Sequence, residues 1–172
     1  MKTLYLLRHA KSQWGTEYPA DFDRPLAPRG HRAAVRMGQE MRARGYIPDF
    51  VLCSQARRAL ETWQLVAPEL ATEVPDKTLR SLYLAPPSRL IEVIHRQPDA
   101  LGSVMLIGHN PGMEHLAAHL SGPGSKDGAM SRLREKYPTA ALAVITFDTD
   151  RWSGVAPGAG RLIKFLRPRE LD

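Results

Sequence analysis

Short apolar segments alternate with longer amphipathic ones along most of this 172-residue chain. A run of four to eight apolar residues closed by polar residues is typical of a buried strand, whereas apolar residues three and four apart are typical of a helix. Such alternation indicates βαβ units, which form a mostly parallel sheet with helices on both faces. We therefore predict a single three-layer α/β/α domain over residues 1–172. The predicted strands are residues 3–7, 50–53 and 104–107, and the predicted helices are residues 29–45, 56–67 and 86–97.

The last third of the chain departs from this alternation. After a helical pattern between Met113 and Leu120, residues 140–147 and 161–166 are both predicted strands with no helix between them. An antiparallel edge is therefore expected there, because parallel strands need a long crossover. Residues 79–84 fit either a short strand or an extended loop, and residues 121–136, rich in glycine and charge, are predicted to be the most variable segment.

Composition excludes several classes of protein. A single cysteine, Cys53, excludes a disulfide framework and a cysteine-based zinc site. No apolar run approaches the roughly 18 residues of a membrane span. The basic residues near the N-terminus leave no room for a signal-peptide core. We therefore expect a soluble, cytoplasmic protein that does not contact membranes.

The positive charge is concentrated at one end of the chain. The first 58 residues contain 11 lysines and arginines against 5 aspartates and glutamates, whereas the remainder contains 13 of each. A basic concentration suits an anionic ligand. A solvated helix face is the competing interpretation for the five arginines that crowd the first predicted helix. These are Arg29, Arg32, Arg36, Arg42 and Arg44.

Unusual polar residues follow three of the predicted strands. Arg8 and His9 end the first, Ser54 ends the second with Arg58 one helical turn further, and residues 109–110, His-Asn, end the third. In an open parallel sheet, ligands bind outside the carboxyl ends of the strands, so these groups are expected to converge. Ser54 is also predicted to cap the helix that follows it.

This set of side chains suits phosphoryl transfer. Guanidinium groups donate to phosphate oxygens in a planar, bidentate manner. Imidazoles can act as nucleophile, acid, base or hydrogen-bond donor. No cysteine, paired aspartate or metal-ligand cluster accompanies them, which favours a covalent phosphohistidine without metal or other cofactor. Spacing alone leaves open that a histidine after a strand is a structural residue.

Four motifs resemble those of the histidine phosphatase superfamily, also called the phosphoglycerate mutase-like family. Residues 8–12, Arg-His-Ala-Lys-Ser, are similar to its Arg-His-Gly signature, and residues 25–30 to its Leu-x-x-x-Gly element. Residues 54–62 resemble its Ser-x-x-x-Arg-x-x-x-Thr pattern, and residues 108–112 its second histidine motif. The order of the four motifs makes the resemblance specific. The compact length and the Arg-His-Ala-Lys-Ser form are most similar to the SixA-type phosphohistidine phosphatase branch.

The resemblance implies roles for individual residues. His9 would be the nucleophile that becomes phosphorylated, and Arg8 and Arg58 would bind the phosphoryl oxygens. His109 would donate a hydrogen bond to a phosphoryl oxygen in the transition state. The family register selects Arg58 over Arg57, because Arg58 lies four residues after the serine and four before the threonine of the motif.

Three further positions qualify this picture. Ser12 and Asn110 are candidate substrate contacts, with capping or turn roles as the alternative. Ala10 stands where the broad family has glycine, which suggests a backbone angle that accepts a Cβ.

The chain differs from the mutases of the superfamily at the position of the general acid. Those enzymes carry a glutamate proton donor before the second histidine, but residues 79–86 contain no carboxylate. Asp21 and Asp23 could supply a substitute from the loop after the nucleophile, although a solvated loop is the favoured interpretation. The SixA-type branch resembles this chain in lacking the acid. The absence favours substrates with P–N bonds or otherwise activated leaving groups.

The leading hypothesis is therefore a metal-independent phosphatase that acts on phosphohistidine proteins or other activated phosphoryl compounds. One alternative is a general small-molecule phosphomonoesterase of the same superfamily. Another is a non-catalytic module that binds polyanions or proteins. No nucleic-acid-binding motif supports a nucleic-acid partner. The pair His115 and His119 has a metal-ligand spacing, but ordinary packing histidines are the favoured interpretation. The sequence does not fix the oligomeric state.

Overall fold

Six strands form one sheet in a computed structural model that describes residues 1–15, 17 and 20–171 of the chain. The predicted strands are all present. Three of them carry the motif residues at their ends. The strands are β1 (Lys2–Arg8), β2 (Phe50–Ser54), β3 (Asp76–Leu79), β4 (Ser103–Gly108), β5 (Leu142–Phe147) and β6 (Gly160–Leu166).

The sheet has the order β3-β2-β4-β1-β5-β6. Strands β1 and β2 both pair in parallel with β4, and β3 pairs in parallel with β2. Only β5 runs the other way, since it pairs antiparallel with both β1 and β6. The mostly parallel sheet and its antiparallel region are therefore confirmed, although β5 lies inside the sheet and β6 forms the edge.

Helices cover both faces of the sheet, as predicted for a three-layer α/β/α fold. Alternate strand residues feed two separate cores, because successive side chains of a strand point to opposite faces. Leu4 and Leu6 of β1 belong to one core and Tyr5 and Leu7 to the other. The first core lies under α3 (Pro87–His95), α4 (Gly112–Leu120) and α5 (Asp127–Glu135), and the second under α1 (Pro28–Arg44) and α2 (Arg57–Val66).

Two segments differ from the sequence expectation. Strand β3 begins at Asp76, before the ambiguous segment, and Arg80–Leu82 form a short 3-10 helix. The glycine-rich, charged segment contains helix α5, which buries only Ala129 and Leu133. Both elements show weak apolar periodicity because they are short and largely exposed, so the pattern could not define them.

The sheet order brings the three motif-bearing strand ends together. Strand β4 lies between β1 and β2, and Arg8 of β1 is in register with Gly108 of β4. The residues that follow these strands therefore share one edge of the sheet, as expected for an open parallel sheet. No helix among the described residues is long and apolar enough to cross a membrane.

Candidate active site

Backbone contacts hold the loop after β1 against the neighbouring elements. The amide of His9 donates to the Gly108 carbonyl at 3.0 Å, and the amide of Ala10 donates to Thr62 Oγ1 at 3.0 Å. Helix α1 approaches so closely that a Cβ on Gly30 would lie 2.1 Å from the Lys11 carbonyl oxygen. The glycine of the Leu-x-x-x-Gly element is thus required by this approach.

The hydrogen bonds of His9 fix its tautomer. The side chain is only 7% exposed, and Nδ1 lies 2.7 Å from the carbonyl oxygen of Ala10. A carbonyl only accepts, so Nδ1 carries the proton. Arg58 Nε donates to Nε2 of His9 at 3.3 Å, which requires a lone pair there. Both contacts therefore select a neutral imidazole with its nucleophilic lone pair on Nε2.

Arg58 lies at the centre of the site, and its neighbour does not. The Arg58 side chain is 3% exposed, and besides His9 it donates from Nη1 to the Asp21 carbonyl at 2.8 Å and from Nη2 to Asp21 Oδ2 at 3.0 Å. Arg57 is 55% exposed and pairs with Glu61 on the outer face of α2. Successive helical residues point about 100° apart, so only one of the two can face the strand ends.

His109 contacts both the second strand and the His9 ring. Its Nε2 lies 2.8 Å from Ser54 Oγ, and its ring centroid lies 5.2 Å from that of His9. Ser54 Oγ also accepts from the Ala56 amide at 3.2 Å, and its own proton can be donated to His109 Nε2. With Ser54 as the donor, the hydrogen of His109 is on Nδ1, and this atom is buried without a hydrogen-bond partner among the described residues.

Ser54 does not cap helix α2. The N-cap position belongs to Ala56, and no side chain caps the helix. The serine instead lies fully buried beneath the imidazole of His109. The N-cap prediction was wrong because the chain makes a two-residue bend before the helix begins, a detail that propensity does not specify.

Arg8 approaches the same region from the end of β1. Its Nη1 donates to the Tyr137 carbonyl at 2.9 Å, while Nε is buried without a hydrogen-bond partner among the described residues. Burial lowers the pKa of the guanidinium, and the nearby Glu114 partly opposes that shift. The group nonetheless remains charged at neutral pH.

Burial and positive charge keep both imidazoles neutral. Burial is the main cause that lowers the pKa of His9 well below its ordinary value, and the charges of Arg58 and Arg8 act in the same direction. Burial, followed by the charge of Arg58, lowers the pKa of His109 to about 3. A neutral imidazole beside two guanidinium groups is suited to attack on an anionic phosphoryl group.

The carboxylate of Asp21 contacts this site from its loop, although 42% of its side chain stays exposed to solvent. Besides Arg58, it contacts Arg24 at 2.9 Å and accepts a hydrogen bond from the Tyr83 hydroxyl. Burial would raise the pKa of the Asp21 carboxyl, but the hydrogen bonds of Tyr83 and Arg24 and the charge of Arg58 lower it to about 2. Asp23 forms no side-chain hydrogen bond or ion pair with the described residues.

Ser12 and Asn110 are both engaged by the protein itself. Ser12 Oγ accepts from Arg24 Nη1 at 2.7 Å and is buried. Asn110 Oδ1 accepts from the Glu114 amide at 3.2 Å, and its Nδ2 donates to the Tyr137 carbonyl at 3.1 Å. These contacts fit the turn and capping interpretation, and a role in substrate binding stays a prediction for both residues.

Thr62 and Tyr83 are functional candidates that the residue-level reasoning did not single out. Thr62 Oγ1 accepts from the Ala10 amide and donates to the Arg58 carbonyl at 2.7 Å, so it joins the nucleophile loop to α2. The threonine of the Ser-x-x-x-Arg-x-x-x-Thr motif was the available signal. The ring of Tyr83 packs edge-on against His109 at 5.3 Å, and no local pattern identifies it.

Ala10 accepts its position without strain. Its φ is not positive, and its methyl group is fully buried. The substitution of the family glycine therefore leaves the loop intact, as the sequence suggested. No cluster of three His, Cys, Asp or Glu side chains that could hold a metal ion occurs among the described residues.

Comparison with known proteins agrees with this geometry. The model of the histidine phosphatase superfamily (branch 1) matches residues 4–82. An uncharacterised protein of Mycobacterium tuberculosis is 38% identical over 167 residues, which is 95% of this chain and all of that protein. A structure assigned as the phosphohistidine phosphatase SixA of Agrobacterium tumefaciens is 32% identical with a TM-score of 0.80, covering 97% of this chain and 98% of the other.

A second structure, assigned as SixA of Nakamurella multipartitia, is 26% identical with a TM-score of 0.81 and covers 97% of this chain and 96% of its own. These likenesses extend over nearly the whole chain. The similarity to phosphatase structures agrees with the site geometry, in which two arginines and two neutral histidines come together near the strand ends. The chain belongs to the histidine phosphatase superfamily, in its SixA-like branch, and is a phosphoric hydrolase.

Proposed function

We propose that the protein is a metal-independent phosphatase that forms a covalent phosphohistidine on His9 and acts on phosphohistidine proteins or other activated phosphoryl compounds. The observation that carries the proposal is the pair of hydrogen bonds made by the imidazole of His9. Its Nδ1 proton is held by the Ala10 carbonyl, so Nε2 presents a lone pair beside Arg58. A buried neutral imidazole with that lone pair is ready to attack phosphorus without prior deprotonation.

In the first step, Nε2 of His9 attacks the phosphorus atom, and the bond from phosphorus to the leaving group breaks. The electron pair of that bond departs with the leaving group. The phosphorylated imidazole carries a positive charge, which the Ala10 carbonyl stabilises through Nδ1–H. In the second step, water attacks phosphorus and the P–Nε2 bond returns its electron pair to His9. The product leaves as dihydrogen phosphate, which carries the oxygen and both protons of the water.

Three donors stabilise the charge on the equatorial oxygens during both steps. Arg8 Nε and His109 Nδ1 are buried without hydrogen-bond partners among the described residues, and a phosphoryl oxygen would supply the missing acceptor. Arg58 Nε exchanges its contact with His9 for a contact with the phosphoryl group. Donors arranged before the substrate arrives stabilise the transition state without reorganisation.

The leaving group receives little help from a general acid. Asp21 is the carboxylate that contacts Arg58, and its pKa of about 2 means that it carries no proton at neutral pH. A P–N substrate can leave with its nitrogen already protonated, whereas an alkyl ester needs a proton donor. The charge state of Asp21 therefore supports activated substrates over simple phosphomonoesters.

Trapping the intermediate tests the role of His9. We expect rapid-quench labelling with a phosphoryl donor to yield an acid-labile, base-stable phosphoenzyme. His9→Ala should abolish both the label and turnover, whereas His31→Ala, which changes an exposed histidine of α1, should keep both. A fully active His9→Ala variant would remove the mechanism.

A leaving-group series tests the substrate class. We expect kcat/KM to depend steeply on leaving-group basicity, with phosphoramidates and aryl phosphates hydrolysed well and alkyl esters slowly, because general acid catalysis typically contributes ~10²–10⁴-fold. Asp21→Asn should keep the steep dependence, and Asp23→Asn is the matched control in the same turn. A shallow dependence that becomes steep only in Asp21→Asn would instead favour a general phosphomonoesterase with Asp21 as its acid.

A further inference from the structure

A second basic cavity lies outside the catalytic side chains. It has a volume of about 540 Å³ and is formed by the loop after β1, the first turns of α1, residues 136–139 and residues 167–169. Cavities of roughly 300–1,000 Å³ are typical of small-molecule sites. None of His9, Arg8, Arg58 and His109 lines it.

The lining is strongly cationic. Seven of its side chains are lysine or arginine, and no carboxylate is among the lining residues that the structure describes. Three of the arginines project from one face of α1, at positions 29, 32 and 36, which are three and four residues apart. Part of the basic face of α1, for which the sequence also allowed a simple solvent-exposed helix face, therefore lines a cavity.

Four of these cations have no partner of their own. The side chains of Lys11, Arg29, Arg32 and Lys136 form no hydrogen bond or ion pair with the described residues. The position of two of them is electrostatically unfavourable, because Arg29 and Arg32 lie near the N-terminus of α1, where the helix dipole disfavours positive charge. An anion in the cavity would satisfy both the unpaired cations and the helix dipole.

The far wall of the cavity is built by a buried arginine. Arg167 is 5% exposed, and its Nη1 lies 3.3 Å from Glu135 Oε2 without forming a hydrogen bond. Glu135 also pairs with Arg169 at 3.2 Å. Arg167 also donates from Nε to Glu170 Oε1 at 2.9 Å, so two carboxylates neutralise this wall. On the opposite wall Arg36 pairs with Glu40, whereas Arg29 and Arg32 have no partner among the described residues.

We propose that this cavity binds a small molecule that carries at least two phosphate groups. Two anionic groups match cations contributed from opposite sides, by α1 and by residue 136. Ala33, Pro138 and Pro168 provide apolar surface beside them for the remainder of such a molecule. The concave shape favours a compact ligand over the flat acidic surface of another protein.

Calorimetric titration with methylenediphosphonate tests the proposal, because its P–C–P linkage resists hydrolysis by a phosphatase. The Arg58→Ala protein, in which the phosphoryl site is weakened, should still bind one equivalent. Adding Arg29→Gln and Arg32→Gln should weaken this binding at least about tenfold, since hydrogen bonds to charged groups are strong. Lys136→Gln should weaken it from the other side, and Arg42→Gln is the matched control on the exposed face of α1.

Removal of a competing carboxylate should strengthen the binding of methylenediphosphonate instead of weakening it. Glu135→Gln removes the carboxylate that pairs with Arg169 and lies beside Arg167, although Arg167 keeps Glu170 as its partner. Binding should therefore tighten, and all of these effects should shrink as salt is raised. If Arg58→Ala does not fold, amide shifts of the wild-type protein replace it. Shifts at Lys11, Arg32 and Lys136 are then expected, in addition to those near His9.

Three outcomes would overturn the proposal. The first is the absence of saturable binding at millimolar methylenediphosphonate. The second is binding that depends on Arg58 but is insensitive to Arg29→Gln with Arg32→Gln, which would assign it to the catalytic site. The third is tighter binding of an acidic peptide such as octaglutamate through the same arginines, which would make the cavity part of a protein-docking surface.

Discussion

The two cationic regions of this protein use the same residue type in opposite ways. At the strand ends, Arg58 is buried, donates to His9 and to Asp21, and is fixed by several elements at once. In the cavity beside α1, Arg29 and Arg32 are exposed and have no partner among the described residues. One region is organised before any anion arrives, while the other has charge without a fixed geometry.

This difference separates catalysis from simple anion attraction. A guanidinium whose position is already fixed can stabilise a transition state without reorganisation, whereas a mobile exposed one mainly attracts anions. The excess of positive charge in the first 58 residues thus divides between two separate regions. Charge alone would have assigned them to one site, and burial together with hydrogen bonding distinguishes them.

The largest effect should come from the contrast between adjacent arginines. Arg58→Ala should lower kcat/KM by at least ~10²-fold, by analogy with lost oxyanion donors. Arg57→Ala should behave nearly as wild type, because its side chain pairs with Glu61 in solvent. Steady-state kinetics of both variants, with Arg32→Ala as the control from the second region, measure the contrast. Similar losses from Arg57 and Arg58 would show that burial does not define the phosphate-binding residue.

A smaller effect should follow from loosening the fixed geometry. Thr62→Val removes the hydroxyl that joins the Ala10 amide to the Arg58 carbonyl. Leaving that buried amide unpaired should reduce the free energy of unfolding by about 1–3 kcal/mol. Misplacement of the catalytic groups should lower kcat by roughly 10–10²-fold with little change in KM.

Thr62→Ser keeps the hydroxyl and is the matched control. We expect it to restore kcat to near the wild-type value, measured together with urea unfolding curves for both variants. If Thr62→Val is destabilised but retains full kcat, the threonine supports the fold and does not position the nucleophile loop.

The smallest expected effect is in the titration of His9 and His109, which should stay unprotonated near neutral pH. Both imidazoles at the strand ends are buried, and their lowered pKa values predict no protonation of His9 or His109 between pH 5 and 8. Carbon-13 NMR of the two rings, compared with the urea-unfolded chain where histidines titrate near 6.5, measures this directly. A midpoint near 6.5 in the folded protein would contradict the desolvated site.

The same shifts predict the sign of the pH dependence of stability. A lowered pKa in the folded state means that the unfolded chain binds more protons as the pH falls. The contribution of His109 is thus complete above pH 6.5 and is lost between about 6.5 and the folded value of about 3. Urea unfolding at pH 7 and pH 5 should show the loss, and it should shrink in His109→Gln, which cannot be protonated.

Sequence reasoning located the strand-end residues because each belongs to a local pattern. His9 follows an apolar run, and the resemblance of residues 54–62 to the Ser-x-x-x-Arg-x-x-x-Thr motif of the superfamily separates Arg58 from Arg57. The parallel architecture follows from strands alternating with helices, since that connectivity leaves few ways to bury both faces of a sheet. These conclusions depend on short local patterns along the chain and on their resemblance to the motifs of the superfamily.

The sequence did not predict the contacts between loops that lie far apart along the chain. Asp21 and Tyr83 meet over Arg58, although 62 positions separate them along the chain. Ser54 lies beneath His109 because the strand order places β2 beside β4, and it therefore serves the imidazole rather than the helix. No periodicity encodes such pairings, because they depend on how whole elements pack.

The amino-acid sequence by itself determined the layered fold, the four residues of the strand ends and the concentration of positive charge near the N-terminus. Only the tertiary structure decided the protonation state of the two histidines and the separation of the basic residues into two regions. Burial sets the neutral state of His9, and packing of residues 136–139 and 167–169 against α1 encloses a second basic cavity. Desolvation and long-range proximity belong to the folded chain, so no segment read by itself contains them.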